Sequence, residues 1–246
     1  MRRYSFLLLI AGALLLCSAV VYYLHYLIFH DAHHIFIYLV GDVAFVPVEV
    51  LLVAIIIERL LSSRDTRAKL EKLNMVIGSF FSEVGTELLG RLTSAMTGRQ
   101  QLREHLAIGA DWTARDFERA IAFAREFPYE VDAGQLDLVA LRDMLTKKRD
   151  FLLRLLENPN LLEHERFTDL LWAIFHLTEE LIARDTLLDL PESDLAHLAG
   201  DIQRAHSRLA GECVAYAQHL QSAYPFLFSL VVRTHPLQDH PSARVV

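Results

Sequence analysis

Hydrophobic residues are concentrated in the first quarter of the chain, in two long runs separated by a short polar segment. From Ser5 to Phe29 there is no Asp, Glu, Lys or Arg, and a second apolar run extends from Ile35 to Ile57. About 20 apolar residues in a helix are enough to cross the hydrocarbon core of a membrane. The pattern therefore predicts a transmembrane hairpin over residues 1–61, with spans at about 5–29 and 35–57.

The charges that flank these runs predict their orientation. Arg2 and Arg3 precede the first run and several basic residues follow the second, from Arg59 onward, whereas the loop between has no Lys or Arg. The positive-inside rule then places both termini in the cytoplasm. The basic start also resembles a secretory signal, but the apolar run continues past the small residues near Ala19, so we interpret it as an uncleaved signal anchor in the cell inner membrane.

Beyond residue 61 the apolar residues recur at steps of three and four, which is the period of an amphipathic helix. The first such pattern predicts a juxtamembrane helix at residues 62–97, in which Gly78, Gly85 and Gly90 indicate a bend or a close helix contact. Further helical patterns, interrupted at Pro128, Pro159 and Pro225, predict a bundle over residues 98–234. Residues 235–246 are predicted to be a flexible tail.

Local signals predict where the bundle helices begin and end. Thr113 with Asp116 three residues later resembles a capping box, and later helices are predicted at 134–157, 161–184 and 191–222. No segment of the bundle alternates like a strand. The predicted fold is therefore all-α, a two-helix transmembrane hairpin followed by a cytoplasmic helical bundle.

Composition narrows the classes of function. The chain has 24 basic and 31 acidic residues, for a net charge of −7, and no basic stripe of the kind that binds nucleic acid. Cys17 and Cys213 fall in different compartments of the predicted topology, so we expect no disulfide within one chain. The short motifs of nucleotide-binding, hydrolase and metalloprotease sites do not occur, which favours a non-enzymatic protein.

Two carboxylates interrupt the second apolar run, at Asp42 and Glu49. Seven residues in a helix place them about 20° apart around the axis and about 10 Å apart along it. Ionisable groups inside a membrane usually face protein or water, and an antiparallel hairpin brings Asp42 near His25 and Tyr22. These four residues form a predicted intramembrane polar site. Glu49 lacks a partner in its own hairpin, so it is either protonated or paired with another copy in a homo-oligomer; alternatively, both carboxylates are packing residues.

The loop between the two runs is the densest cluster of ligand-type residues, with His30, Asp31, His33 and His34. Imidazole and carboxylate together suit divalent zinc, copper or nickel, so a metal site at this outer loop is one interpretation. The other is a polar cap for a tight hairpin at the level of the lipid headgroups. No other cofactor is predicted.

In the predicted cytoplasmic helices, His176 and Glu180 share a helix face at a spacing of four, as do Glu83 and Glu87 on another helix. Helical di-metal sites usually contain Glu-x-x-His motifs on two helices, and that motif is absent. The pattern therefore favours side chains that are solvated or at the edge of the core.

These observations lead to three hypotheses of function. The first is a non-enzymatic, oligomeric membrane protein whose bundle binds a cytoplasmic protein partner or relays a signal from the histidine-rich outer loop. The second is a channel or transporter subunit in which Asp42 and Glu49 line an ion or proton path. The third is a membrane-bound enzyme acting on lipid or a phosphorylated partner, since sites in bundle cores often lack short motifs.

Overall fold

The computed structural model describes residues 2–159, 161 and 164–244. The chain divides into two compact units, Met1–Thr66 and Arg67–Val246. Within the described residues the secondary structure is helical apart from one isolated bridge between Met96 and Val131. This confirms the all-α prediction.

The first unit contains helix α1 (Arg2–Phe29) and the first part of helix α2 (Ala32–Phe80). The turn between them depends on two residues. His30 adopts a left-handed conformation with φ of 53°, and Asp31 Oδ1 accepts a hydrogen bond of 3.1 Å from the backbone N–H of His34. Asp31 therefore caps the start of α2.

The apolar side chains described in this unit are mostly exposed, for example Val40 at 69%. The segments Leu9–Phe29 and Ala32–Arg59 are long and apolar enough to cross a membrane.

The second unit begins within α2, whose last turns bury Leu73, Ile77 and Phe80. A π-helical turn follows at Phe81–Gly85 and leads into helix α3 (Thr86–Ser94). The wider turn shifts the register of the helix, and both adjacent phenylalanines, Phe80 and Phe81, are buried. A side chain at position 85 would lie 2.7 Å from both of their rings, so this turn requires glycine.

Six further α-helices complete the described part of the bundle. They are α4 (Arg99–Leu106), α5 (Ala114–Glu126), α6 (Leu138–Leu156), α7 (Glu165–Ile182), α8 (Glu192–Ala223) and α9 (Pro225–Thr234), with a 3-10 turn at Ala133–Gln135. The long helix α8 lies at the centre and packs against α3, α5, α7 and α9, while α6 packs on α7. The core therefore surrounds α8.

Hydrogen bonds to capping side chains determine the first residue of a helix, which the hydrophobic pattern indicates only approximately. Asp116 Oδ2 accepts hydrogen bonds from both the N–H and the hydroxyl of Thr113 at the start of α5. Asp137 accepts a bond of 2.8 Å from the N–H of Ala140, so α6 begins four residues after the predicted start. His164 Nδ1 accepts one of 3.1 Å from the N–H of Phe167, so α7 also begins later than predicted.

Two histidines lie inside the core in neutral form. His206 is fully buried, its Nε2 lies 2.9 Å from Thr93 Oγ1, and burial lowers its pKa to about 3. Burial likewise lowers the pKa of His235 to about 4. His235 Nδ1 accepts from the N–H of Leu237, which leaves Nε2–H to point at Cys213 Sγ, 3.5 Å away. His235 and Leu237 are buried, so the chain after α9 begins by packing against the bundle.

Candidate functional sites in the hairpin and the bundle

The first unit contains a cavity of about 260 Å³ near the turn between α1 and α2. Helix α1 contributes Tyr22 and His25, and α2 contributes His34, Tyr38 and Asp42. The cavity thus has one carboxylate, two imidazoles and two phenols in an otherwise apolar wall. We call it the hairpin cavity.

Aromatic contacts organise the hairpin cavity. The rings of His25 and His34 are stacked with centroids 5.9 Å apart, and His34 lies 4.6 Å from the ring of Tyr38. His25 Nδ1 is buried and has no hydrogen-bond partner within the described chain. A buried polar atom without a partner is costly, so a small polar ligand or water molecule in this cavity would stabilise the arrangement.

Three of the four residues of the predicted intramembrane site, Tyr22, His25 and Asp42, line the hairpin cavity. Glu49 does not. Its side chain is exposed on α2 and forms no ion pair with the part of the chain that the structure describes. An intramembrane site that includes Glu49 remains a prediction.

The outer-loop residues have separate roles in the structure. His34 lines the hairpin cavity, Asp31 caps α2, and His30 and His33 are exposed. Among the described residues, the loop does not bring three potential metal-ligand atoms within 4.8 Å of one another. Metal binding at His30, Asp31, His33 and His34 remains a prediction.

The second site lies in the bundle, where α7 carries His176 and Glu180 and α8 carries His197 and Asp201. His176 Nε2 lies 3.8 Å from Glu180 Oε1 and 3.5 Å from Asp201 Oδ1. His197 Nε2 lies 3.4 Å from Glu180 Oε2 and 3.5 Å from Asp201 Oδ2. Each imidazole therefore contacts both carboxylates, and we call these four residues the His–carboxylate cluster.

Two arginines border this cluster. Arg184 contacts Glu180 at 2.9 Å and Asp194 at 2.6 Å, and Arg204 contacts Asp201 Oδ1 at 2.5 Å. The hydrogen bond from Arg184 is the main reason that the pKa of Glu180 lies below its usual value, and the same guanidinium lowers the pKa of Asp194. Both of these carboxylates are therefore negatively charged at neutral pH.

Sequence reasoning examined the His176–Glu180 pair and missed its counterpart. The two helices carry the related segments HLTEE (176–180) and HLAGD (197–201), each with a histidine followed four residues later by a carboxylate. That repeated spacing is the signal that could have been found. It could not show that the two pairs face each other, because this depends on how α7 packs against α8.

The fold and these sites define an all-helical protein with two helices long and apolar enough to cross a membrane and a separate helical bundle. Residues 69–233 match the family described as "Uncharacterized protein MJ1433, C-terminal helical domain", and residues 2–61 match "MJ1433, N-terminal helical domain". The chain belongs to this family.

A relative supports the same assignment. The chain is 43% identical over 239 residues to "Uncharacterized protein MJ1433" of Methanocaldococcus jannaschii, and the alignment covers 97% of this chain and 96% of the relative. No solved structure matches the chain. The descriptions of the family and of the relative point to no cofactor.

Proposed function

We propose that this protein is a non-enzymatic, two-pass membrane protein that senses a signal at the histidine-rich loop and the adjoining hairpin cavity. In this proposal the helical bundle responds by binding a cytoplasmic protein partner, and the protein acts as a homo-oligomer. The apolar character of α1 and of the first part of α2 supports membrane insertion.

The single observation that carries the proposal is the course of helix α2. Its first turns supply His34, Tyr38 and Asp42 to the hairpin cavity, and its last turns supply buried residues, such as Ile77 and Phe80, to the bundle core. One helix thus contains both the residues that would receive a signal and residues whose packing would change in response. Histidine side chains in general change charge between pH 5 and 8 and also bind divalent cations, so protons or metal ions are suitable signals.

Hydrogen exchange of the full-length protein in lipid nanodiscs tests this relay. Exchange of residues 73–92 should differ between about pH 8 and about pH 6.5 after correction for the intrinsic rate, because histidine charge changes in this range. The buried histidines of the bundle alter its stability by less than about 0.5 kcal/mol each over the same range. A response larger than their combined effect, about 1 kcal/mol, therefore originates elsewhere.

Matched variants identify its origin. The double variant His34→Gln, Asp42→Asn should lose the response, while Glu49→Gln, which changes an exposed carboxylate of the same helix outside the cavity, should keep it. A parent protein without a response, or a double variant that responds like the parent, would rule out the relay.

The exposure of Asp42 and Glu49 favours a second candidate, a channel or transporter subunit. Two helices cannot enclose a path, so this function requires several copies around a common axis, with both carboxylates turned toward it. In that case Glu49→Gln would alter ion transport by the protein, as would the double variant His34→Gln, Asp42→Asn.

A further inference from the structure

The His–carboxylate cluster between α7 and α8 has the composition and geometry of a metal-binding site. We propose that His176, Glu180 and Asp201, together with His197, bind a divalent transition-metal ion of the Zn²⁺, Mn²⁺ or Co²⁺ type. The proposal is independent of the function proposed above, since it concerns the bundle alone.

Distances within the cluster support this assignment. The imidazole–carboxylate separations of 3.4 to 3.8 Å exceed those of good hydrogen bonds. Around a tetrahedral cation with bonds of about 2.0 to 2.2 Å, neighbouring ligand atoms lie roughly 3.3 to 3.6 Å apart. Donor atoms of His176, Glu180 and Asp201 also lie within 4.8 Å of one another. His176, Glu180 and Asp201 are therefore spaced to surround an ion. His197 faces the other oxygen of each carboxylate, so it would join them as a fourth ligand after a side-chain rotation.

The burial of Asp201 is a second and independent indication. Its side chain is only 3% exposed, and Arg204 meets one of its oxygens. The other oxygen, Oδ2, faces His197 Nε2 at 3.5 Å but accepts no hydrogen bond from any described residue. A buried carboxylate oxygen without a partner costs free energy. A bound cation would provide the missing interaction.

Charge and access also suit a cation. Glu180, Asp194 and Asp201 carry three negative charges against the two positive charges of Arg184 and Arg204, which leaves one net negative charge when the histidines are neutral. His176 and His197 are 48% and 55% exposed, so an ion can reach them from solvent. Arg184 donates a hydrogen bond to the carboxylate of Glu180, and hydrogen bonds of this kind commonly orient metal ligands.

The donor set selects the class of metal. Imidazole nitrogen and carboxylate oxygen in equal number suit borderline divalent ions of the first transition row. Mg²⁺ and Ca²⁺ prefer sites made wholly of oxygen, and Cu⁺ prefers thiolates and thioethers, whereas the cluster has no sulfur.

Titration of the metal-free, full-length protein with Co²⁺ tests the proposal, because Co²⁺ gains characteristic visible absorption in a four-coordinate site with nitrogen and oxygen ligands. The parent should bind Co²⁺ with this absorption, and Zn²⁺ should displace it. The double variant His176→Gln, His197→Gln should weaken binding more than about 100-fold, since even the loss of outer-sphere partners costs 10- to 100-fold. Both histidines are half exposed, so the variant should fold.

Three further proteins complete the experiment. His105→Gln, which changes an exposed histidine on α4, should bind Co²⁺ like the parent. The double variant His33→Gln, His34→Gln should also bind Co²⁺ like the parent, which would show that the outer loop is not part of the site. Asp201→Asn should lose it, with circular dichroism as the check on folding. A parent that binds no Co²⁺, or a His176→Gln, His197→Gln variant that binds as tightly as the parent, would overturn the proposal.

Discussion

At the scale of single residues, the buried histidines determine how the bundle responds to acid. His206 and His235 stay neutral in the folded state, with pKa values lowered by burial to about 3 and about 4. In the unfolded chain a histidine titrates near 6.5. Below that pH the unfolded state takes up protons that the folded state does not, so stability is lost as the pH falls and is fully present above 6.5.

We therefore predict that the free energy of unfolding decreases by about 2 kcal/mol for each buried histidine between pH 6.5 and pH 5. Carboxylates such as Glu180, with a lowered pKa, contribute stability that is lost only at still lower pH. Urea unfolding followed by tryptophan fluorescence measures this effect in the bundle, because the only tryptophans are Trp112 and Trp172.

A pair of variants assigns the effect to burial. His206→Gln should remove about half of the pH dependence, whatever it does to stability at neutral pH, and His105→Gln should leave the pH dependence unchanged. Equal stability of the parent at pH 7 and pH 5 would contradict the prediction.

At the scale of elements, two helical glycines should respond oppositely to the same substitution. Gly85→Ala places a methyl group 2.7 Å from the buried rings of Phe80 and Phe81, and overpacking of this kind costs about 1 to 3 kcal/mol. Gly200 has no atom within 4 Å of the added methyl group, so Gly200→Ala should raise helix stability by up to about 1 kcal/mol. Urea unfolding should show a lower free energy of unfolding for Gly85→Ala and a higher one for Gly200→Ala. A change in the same direction for both variants would contradict the prediction.

The same region shows how far helix prediction reaches. Hydrophobic spacing correctly indicates helix on both sides of residues 81–85, and the glycines indicate a bend or close contact. The spacing could not specify a π-helical turn, because the turn accompanies contacts between helices: Phe81 stacks on Tyr216 of α8 at 5.1 Å, and Phe80 meets Phe167 of α7 edge-on at 5.2 Å. The predicted helix starts differ from the observed ones for a related reason. A cap such as Asp137 fixes the start of its helix through one side-chain hydrogen bond, which the hydrophobic spacing does not reveal.

At the scale of the whole molecule, the charge pattern makes a topology prediction. Both termini should be cytoplasmic, with the turn at Ala32 on the outer side. In a Cys17→Ser background, Ala32→Cys should react with a membrane-impermeant maleimide in intact cells. Glu118→Cys, an exposed position on α5, should react only after permeabilisation.

The remaining cysteine serves as an internal control for this labelling. Cys213 is 5% exposed, and burial raises the pKa of its thiol to about 12, so it should stay unlabelled in both variants. The reverse pattern, with Glu118→Cys labelled in intact cells and Ala32→Cys protected, would show that the topology is inverted.

The sequence by itself determined the all-helical class and the two apolar segments, because these follow from composition and from spacing along one chain. Only the tertiary structure brought His176 and Glu180 on α7 together with His197 and Asp201 on α8. Contacts between helices depend on which faces the core buries, and the spacing of residues within each helix does not contain that information.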